Sequence, residues 1–85
     1  MDYKRANQLR TLGLTIAYYR RLRGLTQTEL AEHVKISRTH MSNIEAPNGK
    51  TSVSLNKLFD IADALDVSMK DFFDVHDLDE KKDCG

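Results

Sequence analysis

The chain has 85 residues, 13 Lys+Arg against 13 Asp+Glu, 40% hydrophobic and 31% charged residues. That length holds one small domain, and that composition is globular rather than disordered or fibrous. No apolar run approaches a membrane span, no secretory pattern opens the chain, and the lone Cys84 excludes an internal disulfide and leaves no zinc framework.

Helical spacing runs through the whole sequence, and strand signals are nearly absent. Leu9, Leu12, Ile16 and Tyr19 step by three or four and predict one apolar stripe on a first helix. That helix ends near Arg23, with Gly24 as a left-handed stop. Before it, residues 1–8 form a basic arm or a helix extension carrying Lys4 and Arg5. Tyr18 adjoins Tyr19 and is read either as exposed or as part of a wider core stripe.

Thr26 starts a second helix, and Glu29 three residues later completes a capping box. Leu30, Ala31 and Val34 are its short apolar face. Lys35-Ile36-Ser37 then breaks the pattern. Ser37 caps a third helix from Arg38 to about Glu45, with Met41 and Ile44 facing inward. Pro47, Asn48 and Gly49 mark the clearest loop. Ser52 or Ser54 opens a fourth helix with the stripe Leu55, Leu58, Ile61, Ala62 and Leu65. Ser68 caps a short fifth helix, Met69 to about Phe73. The expected fold is all-α: five short helices over 9–74, with an acidic tail at 75–85.

Two short helices joined by a three-residue turn are the helix-turn-helix geometry. On the third helix the outward positions read Arg38, Thr39, His40, Ser42 and Asn43. All of them hydrogen-bond and none is acidic. Arg matches the paired acceptors of guanine, and Asn matches adenine. Catalysis is not expected. His33, His40 and His76 are scattered, no glycine-rich phosphate loop follows a strand, and Cys84 has no positioned base.

The run Gly24-Leu25-Thr26-Gln27-Thr28-Glu29-Leu30-Ala31, then Ile36-Ser37, Met41-Ser42-Asn43-Ile44-Glu45 and Ala64-Leu65-Asp66-Val67-Ser68, resembles the Cro/C1-type helix-turn-helix domain of lambdoid repressors and small bacterial regulators. The resemblance spans roughly residues 9 to 74. It implies base reading by Arg38, Thr39, Ser42 and Asn43, and phosphate contacts by Gln27, His40, Asn48 and Lys50. It also implies an internal ion pair between Arg20 and Glu45. Phe72, Phe73 and Val75 are surplus apolar area at the C-terminal end and suit a twofold contact, as in related regulators. Two departures stand out: Lys35 occupies the turn position where the family usually has Gly, and Ala46-Pro47 lengthen the loop before Asn48.

The expected function is therefore sequence-specific binding of double-stranded DNA by a cytoplasmic regulator. A homodimer would recognise a palindromic operator and repress transcription, with no cofactor, metal or small-molecule ligand. The rival expectations are a protein-interaction module, such as an antitoxin or anti-repressor, and a restriction–modification controller. Neutrality does not weigh against DNA, because residues 1–52 carry nine Lys/Arg and four Asp/Glu while residues 53–85 carry four Lys and nine Asp/Glu. The zero sum conceals a polarised molecule.

Overall fold

A computed structural model describes residues 3–46 and 51–73. It contains α1 (Tyr3–Leu22), α2 (Gln27–Val34), α3 (Arg38–Glu45), α4 (Leu55–Leu65) and α5 (Met69–Phe73). Among the described residues there is no strand, and no helix is long and apolar enough to cross a membrane.

The helix starts are set locally. The Thr26 hydroxyl accepts from the Glu29 backbone N–H at 3.0 Å, and the Glu29 carboxylate accepts from the Thr26 N–H at 2.8 Å. Ser37 accepts from the His40 N–H, Ser54 from the Lys57 N–H and Ser68 from the Asp71 N–H. Each cap satisfies an amide that the helix itself leaves without a partner. Of the two candidate caps for α4, Ser54 holds the position.

Three of the helix ends share one device. Gly24, Lys35 and Asp66 all adopt left-handed backbone, with φ of 75°, 63° and 58°. In each case the next residue's N–H returns to a carbonyl five positions back: Leu25 to Arg20, Ile36 to Ala31 and Val67 to Ala62. That is the Schellman pattern, and it redirects the chain while satisfying the last carbonyls. Lys35 thus takes the conformation that glycine adopts freely, at a cost of about 1 kcal/mol.

α1 begins at Tyr3, well before its apolar stripe, so residues 3–8 extend the helix. Lys4, Arg5, Ala6 and Gln8 are good helix formers. Exposed links one turn apart, Arg5 to Gln8 and Arg10 to Asn7, lie along this stretch. Met1 and Asp2 lie outside the described residues.

One core joins all five helices. Ile16, Leu30, Met41, Ile61, Leu65 and Phe72 are fully buried. α2 packs on α3 and α4, while α1 crosses α3, α4 and α5. Gly13 permits the α1–α3 crossing, because a Cβ there would overlap the Ile44 carbonyl oxygen. Leu55 departs from the expected stripe: at the first position of α4 it lies beyond the core and is exposed. Phe72 departs from its expected place at a dimer contact. Its ring lies in the chain's own core, 6.1 Å from the Tyr19 ring, and has no surface to offer a partner. Phe73, its neighbour, is exposed, and Val75 lies outside the described residues.

Candidate nucleic-acid interface

α3 is presented by α2 and α1. Met41 and Ile44 anchor it in the core, so the remaining positions turn outward. Arg38 and Ser42 are one helical turn apart, as are Thr39 and Asn43, which places all four on one face. Arg38, Thr39 and Asn43 are exposed, and His40 and Ser42 are half-buried. The face combines charged, hydroxyl and amide donors with hydroxyl and amide acceptors, suited to base edges.

Glu45 is the only acid of α3, and it is withdrawn from that face. Its side chain is 4% exposed, and the Arg20 guanidinium grips both oxygens, Nε to Oε2 at 2.7 Å and Nη2 to Oε1 at 2.9 Å. The remaining arm of Arg20, Nη1, donates to the Leu25 carbonyl at 2.8 Å. One side chain thereby joins α1, the α1–α2 connection and the end of α3. No buried side-chain nitrogen or oxygen among the described residues lacks a hydrogen-bond partner. For a buried ion pair, that satisfaction decides whether burial is tolerable.

Gln27, the first residue of α2, is placed differently from a simple phosphate gripper. Its Nε2 donates to Glu45 Oε1 at 3.0 Å. The amide has two N–H donors, so one is committed inward and one remains. Asn48 and Lys50 lie outside the described residues.

Two basic side chains have roles that periodicity did not disclose. Arg23 donates through Nε to the Leu65 carbonyl at 2.7 Å and through Nη2 to the Asp66 carbonyl at 3.2 Å, closing the C-terminal end of α4. Lys57 of α4 donates through Nζ to the Val34 carbonyl, closing the end of α2, and also faces Asp60. Both cations meet the negative end of a helix, where charge and carbonyl orientation favour them. The carbonyls they meet lie more than twenty positions away in sequence, so no local pattern reveals them.

At the start of α2, the carboxyl of Glu29 is held below the usual carboxylate range. The largest cause is the hydrogen bond from the Thr26 backbone, followed by that from its side chain. A shallow hollow of about 460 Å³ between α2 and α4 is lined by His33, Lys35, Lys57, Asp60 and Asp63 among others. Its charges are of both signs, and Lys57 there is already engaged.

A helix-turn-helix family model matches residues 16–72. No curated protein sequence matches the chain. Among solved structures, the restriction-modification controller protein C.AhdI from Aeromonas hydrophila is similar, with a TM-score of 0.71 and 29% identity, covering 78% of this chain and 97% of that one.

Proposed function

Since this chain belongs to the helix-turn-helix family of Cro/C1 type and is a DNA-binding transcription regulator, we propose that it reads one duplex sequence as a homodimer and represses transcription by occupying a promoter. Its work is binding rather than catalysis, and its place is the cytoplasm, where its DNA lies. The observation that carries this reading is the acid-free outward face of α3, achieved by drawing Glu45 inward onto Arg20.

In this reading Arg38, Thr39, Ser42 and Asn43 enter the major groove and read bases. His40, the outer N–H of Gln27, Asn48 and Lys50 contact phosphates and fix register. Exposed Phe59 and Phe73, from α4 and α5, supply apolar area for the twofold contact. Two copies then meet half-sites about 34 Å apart, one turn of the duplex.

Selection of bound duplexes from a random pool, at a fixed salt concentration, tests the reading. Recovery of a palindrome is the expected result. Absence of enrichment overturns it and favours a module whose partner is another protein. The likeness to a controller protein over 97% of its length favours one particular setting, control of a restriction–modification system. Genes for a restriction enzyme and its methyltransferase beside this one would support that setting.

A further inference from the structure

Leu14, Tyr18 and Leu22 of α1 stand one helical turn apart and are 51%, 49% and 58% exposed. They form an apolar stripe on the outside of the helix, away from Ile16 and the core. The stripe is bracketed by cations: Arg10 is one turn before Leu14, and Arg21 is one turn after Tyr18. α1 contains no Asp or Glu. An apolar row edged by arginines and lacking any acid calls for an occupant that is both apolar and anionic.

A second copy meeting the stripe through a twofold axis fits poorly. An isologous contact sets the same patch against itself, so the arginines of one copy would face those of the other. The chain's own remaining residues fit better. Asp77-Leu78-Asp79-Glu80 places one leucine among three carboxylates. Residues 74–85 follow Phe73 in the sequence, and the adjacent Phe72 ring packs on Tyr19, whose ring lies 5.1 Å from that of Tyr18. Twelve residues reach about 40 Å when extended. α1 itself, at 20 residues, is about 30 Å long.

We propose that the acidic segment 74–85 docks on the outer face of α1 in the same chain, with Leu78 against Leu14 and Tyr18 and its carboxylates on Arg10 and Arg21. The occupant is an internal polyanion. It covers apolar surface and engages α1 cations that would otherwise attract any nucleic acid.

Cys84 is the only cysteine and lies in this segment, so it takes a nitroxide label without other changes. In the full isotope-labelled chain, signal attenuation is expected to be strongest at the amides of Leu14, Tyr18 and Arg21. It should fall to background in the triple variant Asp77→Asn, Asp79→Asn, Glu80→Gln, whose amide spectrum reports that the helices are intact. It should also weaken in the double variant Leu14→Ser, Tyr18→Ser. Attenuation spread evenly over the surface, or unchanged by neutralising the three acids, overturns the proposal. So does attenuation of the same amides in isotope-labelled copies without nitroxide when they are mixed with nitroxide-labelled copies without isotope, which would make the occupant a second copy.

Discussion

Arg20 of α1 and Glu45 of α3 meet in a two-pronged ion pair, 25 positions apart in sequence, with both side chains buried. Removing one partner leaves a buried charge with no counterion, so Arg20→Met is expected to cost about 3 kcal/mol. Adding Glu45→Leu should recover much of that loss, because the two apolar groups need no partner, the remainder being the partners lost by the Leu25 carbonyl and the Gln27 amide. Urea denaturation of the four proteins in the cycle measures the coupling. Additive losses would show that the pair contributes no mutual stabilisation.

The crossing of α1 over α3 depends on Gly13. Gly13→Ala drives a methyl group into the Ile44 carbonyl, which is backbone and cannot swing away. Loss of about 2 kcal/mol is expected, from overpacking. Gly24→Ala is the control: nothing lies within 4 Å of its Cβ position, so its cost is that of a left-handed backbone alone, about 1 kcal/mol. Thermal denaturation distinguishes the two. Comparable tolerance of alanine at both sites would contradict the close approach.

For DNA, the outward face of α3 predicts an asymmetry. Arg38→Ala and Asn43→Ala should each weaken the selected duplex by about 1–3 kcal/mol and relax base preference at one position. Gln27→Ala should weaken selected and random duplexes alike, since a phosphate contact carries no base information. Titrations against both duplexes at one salt concentration decide the matter. An equal loss on both duplexes for Arg38→Ala would remove it from base reading.

Glu29 links α2 to pH. Its folded-state carboxyl is depressed by the Thr26 hydrogen bonds, so the charged form is the one that stabilises the fold. That contribution is fully present above the carboxyl's unfolded value and is lost as pH falls through its lower folded value. Comparing stability against pH for the wild type and Glu29→Gln should therefore show curves that differ above this window and converge below it. A constant offset across the acid range would mean the charge of Glu29 is immaterial.

The helix boundaries were largely legible because they are made by neighbours. Thr26 with Glu29, Ser37 and Ser68 each cap within three residues, and such chemistry leaves a mark in the sequence. The outward set on α3 was legible by spacing from Met41 and Ile44. What depends on how helices meet was not. Which of Phe72 and Phe73 turns inward is set by how α5 lies on Tyr19. Gln27 reaches Glu45 only because the start of α2 comes beside the end of α3. Arg23 is indistinguishable in sequence from Arg21, yet it spans 42 positions to the Leu65 carbonyl.

That use of Arg23 has a consequence for thermodynamics on DNA. Arg20 and Arg23 are each turned onto a carboxylate or a carbonyl inside the protein. A cation occupied in this way does not displace a condensed counterion from the duplex. The slope of binding affinity against salt concentration counts only the cations that reach phosphate. The basic residues of the N-terminal half therefore overstate that slope, and a larger share of the affinity must come from contacts that salt does not screen.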